Sequence, residues 1–475
     1  MTVDRREVLA SLGLASASTL LWALGCGARP PAPRRAPQIS QDVRTWLHDA
    51  VARLAVVYPA VHALAVSRRR TTAAVDVLGP GIARLRGDGV IFTVRRPDGL
   101  RREHLTTSLT ADGINAAVEA LGGGRDRAAI DFGAAPATPA EPPDLDDLDL
   151  HHRVDQLHND ARRSSRIVYA AALIDIDDAI VWSVAPGRDR EQRLIRLRQS
   201  VARAAWNGAR PAVATAEHAW SGWLDDQPLR SADIAAATTA ALEIMTPGSL
   251  DDGERTIVLD PSVTALVLDT TARHLLTAGP GRAPALGGRL AAPAVTLVDD
   301  PTAPRAYGGF AFDDEGGPAA PLTLLDAGLF AATLGPGRAR RPGHLGPAAP
   351  ASSHLQLRPG TAALPELYSD GLILEAGRDA TYDPATDRLR LGCARARELR
   401  AGSPTGRVYA NVELAGSLTA LLAGIDAVAR DPVALTLDDP TVHDEPPLGG
   451  RSCWRSIATP ALRTRGRVRA RRSRA

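Results

Sequence analysis

The sequence predicts an α+β protein: an N-terminal domain of mixed helix and antiparallel sheet, followed by a larger, mainly β C-terminal domain. Three observations carry this reading. Apolar residues at helical spacing open the folded part near Gln41, and hairpin signals follow at once. The pattern changes character near residue 230. From about residue 290 onward, short apolar runs alternate with Gly/Pro turns. The implied organisation is a leader over 1–26, a tether over 27–40, domains over 41–230 and 231–460, and an arginine-rich tail over 461–475.

The elements follow in order. DVRTWLHDAVARLAVVY, residues 42–58, is amphipathic at a 3.6-residue period and predicts the first helix. VHALAVS alternates as a strand. VIFTV, residues 90–94, and RREHLTTSL predict a hairpin turned by Pro97-Asp98-Gly99, with fixed φ at proline and tolerated positive φ at glycine. ADGINAAVEALGG predicts a helix ending at a glycine cap near Gly122. Residues 133–150 are Pro-rich and acidic, and read as an exposed excursion. RIVYAAALID and AIVWSVA predict a second hairpin joined through IDIDD, and DREQRLIRLRQSVARAAW a long helix with its charges on a solvated face. SADIAAATTAALEIM predicts a helix, TIVLDPS a strand, PSVTALVLDTTARHLLT (261–277) a helix and LTALLAGIDAVA (418–429) the last one. The tail ALRTRGRVRARRSRA has no interleaved aromatics to stack bases, so a disordered solubilising end is expected ahead of a nucleic-acid or anionic-lipid contact.

Composition excludes several classes. Gly (42) and Pro (36) stay below the level of low-complexity chains, and 44% hydrophobic content supports a folded core. Three cysteines, Cys26, Cys393 and Cys453, rule out a disulfide scaffold. The 56 basic side chains are all arginine, against 54 acids, for a net charge of +2. That figure conceals basic ends, +3 over residues 1–36 and +7 over the last fifteen, around a body of −8. No basic groove for nucleic acid is implied by the body.

The N-terminus predicts export. Arg5 and Arg6 precede an apolar run from Val8 to Leu24 that is short and rich in small residues, so it resembles a twin-arginine signal rather than a spanning helix. Ala23-Leu24-Gly25 leads into Cys26 as in a lipoprotein signal, which makes Cys26 the expected lipidation site. The Pro/Arg stretch after it reads as a spacer. The expected location is the periplasm or the membrane, the latter only through a lipid anchor.

Generic catalytic motifs are absent: there is no HExxH, GxSxG, P-loop or GxGxxG after a strand. His151, His152 and His158 follow the acidic stretch and read as a solvated surface cluster, with metal binding as the alternative. Asp269 and His274, on the helical segment 261–277, prove little alone.

The stretch from Glu254 onward changes this. ERTIVLDPSVTALVLDTTARHLL, VTLVDDPTAPRAYGGFAFDDEGGPAAPLTLLDAGLFAATL, HLQLRPGTAALPELYSDGLILE and RARELRAGSPTGRVYANVELAGSLTALLAGIDAV closely resemble the TldD/PmbA family. The most specific piece is Phe312-Asp313-Asp314-Glu315-Gly316 with Pro318, then Thr323-Leu324-Leu325 and Gly328. The resemblance covers most of residues 41–460 and is strongest in the second half. It implies metallopeptidases and their non-catalytic partner subunits, acting on peptides and named as modulators of DNA gyrase. Catalytic members carry HExxxH on the helix after the "VVLDP" strand, two histidines and a late cysteine holding zinc while the glutamate polarises water. Here Asp269 and His274 match the histidines, and Thr270 stands at the glutamate, where it cannot serve as a carboxylate base. Cys453 lies about where the cysteine would.

The resemblance therefore implies a non-catalytic, TldE/PmbA-like subunit that forms a hetero- or homodimer with a TldD/PmbA-type partner and supports peptide processing. One alternative is an atypical zinc metallopeptidase using Asp269, His274 and Cys453. The other is an envelope lipoprotein that binds peptide or serves a structural role. Zinc is implied where the ligand set is intact, and no metal where it has decayed.

Overall fold

Long antiparallel strands dominate the first half of the chain. The structure, a computed structural model, describes residues 38–77, 79–136, 139, 146–206, 211–277, 285–335, 351–437 and 455–471. The leader with Cys26, most of the tether, and Cys453 lie outside the described residues. Strands β1 (Ala60–Asp76), β2 (Gly79–Arg95), β3 (Arg101–Thr106), β4 (Ile167–Ala185), β5 (Arg188–Trp206) and β6 (Pro211–Ser221) form one antiparallel sheet in the order β3-β2-β1-β4-β5-β6. The β2–β3 turn is the one expected: Gly99 takes φ +82° and its N–H reaches the Arg96 carbonyl at 2.9 Å.

Four helices cover one face of this sheet. They are α1 (Gln41–Ala55), α2 (Ala111–Ala120), α3 (Asp147–Ala161) and α4 (Ser231–Glu243). Leu47, Leu54 and Val118 of α1 and α2 pack on Ala63, Ala65, Phe92 and Trp182. Val154 of α3 and Ile234 of α4 pack on Val75, Ile174, Leu197 and Trp220. Because side chains alternate along a strand, Leu64, Val66 and Leu194 face the other way, where Phe310 and Phe312 meet them. Both faces of the sheet are thus covered.

The second half builds two further sheets. Strands β7 (Gly253–Leu259), β12 (Gly371–Asp383), β13 (Arg388–Arg400), β14 (Ser403–Ser417) and β18 (Leu462–Ala470) pair in sequence, and β14–β18 pairing closes them into a barrel, with β15 (Ala427–Val428) added beside β18. The other sheet runs β10 (Leu329–Phe330), β9 (Leu322–Asp326), β8 (Leu297–Asp299), β11 (His354–Leu357), β17 (Arg455–Thr459), β16 (Val433–Leu437). Helix α5 (Pro261–His274) joins their cores, and α6 (Leu418–Ala423) packs Leu418, Leu421 and Leu422 into the same cluster. Among the described residues no helix is long and apolar enough to cross a membrane.

Four sequence expectations are corrected. Residues 188–206 form β5, not a helix, and Arg196 and Arg203 are buried rather than solvated. Eighteen residues of pairing with β4, plus β6 on the other side, outweigh the local helical pattern. IDIDD is not a turn. Asp175, Asp177 and Asp178 sit buried in mid-strand, neutralised by arginines of β1 and β5, and the chain reverses instead at Pro186-Gly187, with Gly187 at φ +71°. The last helix ends at Ala423, because Ala429 N–H is captured by the Ala461 carbonyl and residues 427–428 pair with β18. Most of the arginine-rich tail, Leu462–Ala470, is a strand: Leu462, Thr464 and Val468 turn inward while the arginines between them turn outward.

Candidate functional site

Helix α5 starts where the sequence expects. Asp260 caps it by accepting the Val263 N–H at 2.8 Å, and Pro261 occupies the first turn. Burial of the Asp260 carboxyl pushes its pKa above the ordinary range, against its hydrogen bonds from Ser262, Val263 and Ala376. The helix is buried nearly all round; Val263, Val267 and Leu268 are fully enclosed, a burial worth roughly 1.5–3 kcal/mol for each such side chain.

Asp269 is only 2% exposed, so its charge must be matched. Two guanidiniums do so. Arg455 of β17, 1% exposed, donates to Oδ1, and Arg273, one turn along α5, lies 2.9 Å from Oδ2. Ser352 Oγ holds Arg455 from the other side, accepting from Nη2 at 2.6 Å and Nε at 3.1 Å. Thr270 donates its hydroxyl to the Leu266 carbonyl at 2.7 Å, and Thr271 does the same to Val267 at 2.8 Å. His274 ends the helix with its ring 5.2 Å from that of Tyr382.

A divalent cation beside Asp269 would meet two guanidinium charges already paired with that carboxylate, in a buried setting where like charges repel strongly. Thr270 supplies no carboxylate. The surroundings of Asp269 fit an arginine, not a divalent metal. Of the sequence-predicted set, the structure places Asp269 and His274 on one helix, while Cys453 lies outside the described residues. Among the described residues no group of three or more His, Cys, Asp or Glu side chains gathers to hold a metal. His151, His152 and His158 sit on α3, His152 exposed and the other two half-buried.

The sequence reading missed Arg455 and Ser352. The available signal was an arginine heading the otherwise uncharged strand RSIAT, two residues past Cys453. A neighbouring polar line runs through β17, β11 and β8. His354 Nδ1 meets Ser456 Oγ at 2.8 Å, Ser456 Oγ accepts from Gly308 N–H at 3.0 Å, and Asp299 Oδ1 accepts from Ser353 N–H and Oγ, each at 2.8 Å. Burial holds His354 below the ordinary histidine range despite Asp299 and Asp300 nearby.

The segment 307–317 serves a different purpose. Arg196 donates to the carbonyls of Tyr307 and Gly309 at 2.7 and 2.9 Å. The Gln192 amide donates to the Phe312 carbonyl and accepts from Ala311 N–H, both at 2.8 Å. Arg188 donates to the Glu315 carbonyl at 2.8 Å and Arg101 to the Glu315 carboxylate at 2.7 Å. Asp313 ties the loop to itself by accepting from Gly317 N–H at 2.8 Å and Glu315 N–H at 3.0 Å. Beneath it lies a charged lattice in which Arg70 and Arg193 chelate Asp175 and Asp178. Burial works to raise the Asp175 carboxyl, but Arg70 and Thr72 overcome it and hold the pKa below its ordinary value. Burial pushes Arg196 down to about 10. Phe312 to Gly316 therefore fasten the second half of the chain to the first sheet.

Comparison with known proteins agrees with this architecture. Residues 252–467 match the family model described as PmbA/TldA metallopeptidase C-terminal domain. A metalloprotease of Methanocaldococcus jannaschii is 24% identical over 247 residues, 47% of this chain and 54% of that protein. A metalloprotease of Methanothermobacter thermautotrophicus is 25% identical over 214 residues, 40% of this chain and 46% of that protein. The chain thus spans about half the length of the curated relatives it matches. In fold it is similar to a Thermotoga maritima protein named as a modulator of DNA gyrase (TM-score 0.69, 15% identity, 90% of this chain and 99% of that one). It is equally similar to TldE of Thermococcus kodakarensis (TM-score 0.68, 13% identity, 90% of this chain and all of that one). Residues 252–467 therefore form a C-terminal domain of the TldD/PmbA family, and the α+β fold of the chain as a whole is similar to that of the gyrase-modulator and TldE structures.

Proposed function

We propose that this chain is a non-catalytic, TldE/PmbA-like subunit that pairs with a catalytic TldD/PmbA-type relative and supports peptide processing in the cell envelope. The carrying observation is at α5, where Asp269 is paired with Arg455 and Arg273 and Thr270 stands at the position of the general base. A guanidinium held against the ligand carboxylate supplies structural charge balance and no Lewis acid. The likeness in fold to a TldE supports the subunit reading. Export belongs to the same proposal and is supported by Arg5-Arg6, the apolar run and Cys26.

The test is isolation of the tagged full chain from its native envelope, with elemental analysis of the purified protein. The proposal expects a relative with an intact HExxxH to co-purify, and neither stoichiometric zinc nor peptide hydrolysis from the chain alone. Stoichiometric zinc that disappears in His274→Ala would instead favour the atypical metallopeptidase using Asp269, His274 and Cys453. Peptide capture with no relative bound and no hydrolysis would favour the envelope peptide-binding lipoprotein. Labelling with a radioactive fatty acid tests Cys26.

A further inference from the structure

A basin of about 1020 Å³ opens on the barrel, with Arg378, Asp379, Arg390, Gly392, Glu413 and Arg471 in its lining. Its size is that of a small-ligand site, about 300–1,000 Å³. Leu389, Leu391, Val412, Leu414 and Val468 belong to the core, so by alternation Arg390, Gly392, Glu413 and Arg469 stand on the opposite face. The strand registers align Asp379, Gly392, Glu413 and Arg469 in one row across β12, β13, β14 and β18. The basin is distinct from the α5 site: Thr381 lines it, whereas the next residue, Tyr382, turns to His274.

The charges of the basin do not all cancel. Asp379 pairs with Arg471 at 2.8 Å, Glu413 accepts from Arg469 Nε at 2.9 Å, and Asp252 accepts from Arg467 Nε at 2.8 Å. Every lining carboxylate thus has its own arginine. Arg378 reaches only the Asn411 amide oxygen, at 2.8 Å, and among the described residues no carboxylate lies within ion-pair distance of Arg378 or Arg390. Desolvation, then the adjacent Arg471 charge, holds the Arg378 guanidinium below the ordinary arginine range.

The backbone is shaped around these groups. A bulge between Gly377 and Asp379 breaks the alternation of β12 at Arg378 and re-aims it. Ala376 and Asn411, neither a glycine, take φ +54° and +51°, in a region that costs energy and clusters at binding sites. A Cβ on Gly392 would lie 2.2 Å from Arg471 Nη1, so this glycine makes room for the guanidinium that neutralises Asp379.

Two unmatched guanidiniums call for an oxyanion, and a planar fork suits a carboxylate held by paired N–H bonds. The three resident carboxylates repel a multiply charged polyanion and leave neighbouring acceptors for a peptide's N–H groups. We propose that the basin binds the terminal carboxylate of a short peptide through Arg378 and Arg390. This goes beyond the subunit reading and stands without it.

The test is calorimetric titration of the purified full chain with a mixture of N-acetylated tripeptides bearing free carboxylates, the same mixture C-terminally amidated, and inorganic phosphate. The acids are expected to bind saturably, the amides about tenfold more weakly or worse, and Arg378→Gln and Arg390→Gln to weaken the acids by a similar factor. Among the described residues Arg390 has no ion-pair partner to lose, so its variant keeps its melting temperature, and Arg390→Lys should recover part of the affinity. Equal binding of acid and amide, no binding of the acids, tighter binding of phosphate, or unchanged affinity in both glutamine variants would overturn the assignment.

Discussion

Arg455 on β17 donates to the carboxylate of Asp269 on α5, and both side chains are almost fully enclosed, at 1% and 2% exposure. The pair joins the helix to the sheet that contains β17, at the position where the family resemblance implies a metal ligand. Removing one member of a buried pair costs up to about 3–5 kcal/mol, with the lower end expected here because Asp269 keeps Arg273, whereas replacing both with apolar groups of similar size is often neutral. Arg455→Ala should therefore lower the denaturation midpoint sharply, and Arg455→Met with Asp269→Leu should recover most of the loss. Chemical denaturation of the three proteins checks this. Equal destabilisation in the single and double variants would mean that the pair is not the cause.

The loop at 312–316 gives a second prediction. Gly316 takes φ +73°, and a Cβ there would lie 2.4 Å from Ser183 Oγ and 2.7 Å from the Arg188 guanidinium carbon. Gly316→Ala should destabilise by at least about 1 kcal/mol, and Gln192→Ala by about 1–3 kcal/mol because it strands the Phe312 carbonyl and the Ala311 N–H. Hydrogen exchange should rise across residues 307–317 in both variants. Protection unchanged there would show that this contact does not fasten the two halves.

Much of the fold was legible locally, and the errors share one cause. Helix α5 was readable because Asp260-Pro261 caps it, and the β2–β3 hairpin because Pro97-Asp98-Gly99 specifies its turn. Residues 188–206 misled because charged residues in an amphipathic run normally face water, yet here Arg193 meets Asp178 across the β4–β5 hairpin and Arg196 meets carbonyls of a segment more than a hundred residues away. The same holds at the site. Asp269, Thr270 and His274 were visible on α5, but the buried one of the two arginines that answer Asp269 lies 186 positions away in sequence. Sequence spacing does not reveal such a partner.

Strand β18 carries the third prediction, since it was expected to be a disordered end. Val468 is fully buried and β18 pairs with both β7 and β14. Val468→Asp places a charge in that core and should cost roughly 3 kcal/mol or more. Arg465→Gln, on the exposed side of the same strand, should change stability by no more than about 0.5 kcal/mol. Thermal melts of the two variants separate a structural strand from a solvated tail, because a tail would tolerate both changes.

The final prediction concerns acid. His62 on β1 meets Ser183 Oγ at 2.9 Å, and burial, then the charges of Arg188 and Arg101, pushes its pKa down to about 3. An unfolded histidine titrates near 6.5, so between these values the unfolded chain binds a proton that the folded chain refuses. The contribution of a neutral His62 is therefore complete above pH about 6.5 and is lost progressively as pH falls toward 3. His62→Gln keeps a polar group beside Ser183 without that proton, so its stability should fall less steeply over the same interval. Denaturant midpoints measured at several pH values in both proteins decide the matter. Parallel pH profiles would mean that His62 takes up its proton over the same pH range folded and unfolded, and that burial, Arg188 and Arg101 do not hold it neutral.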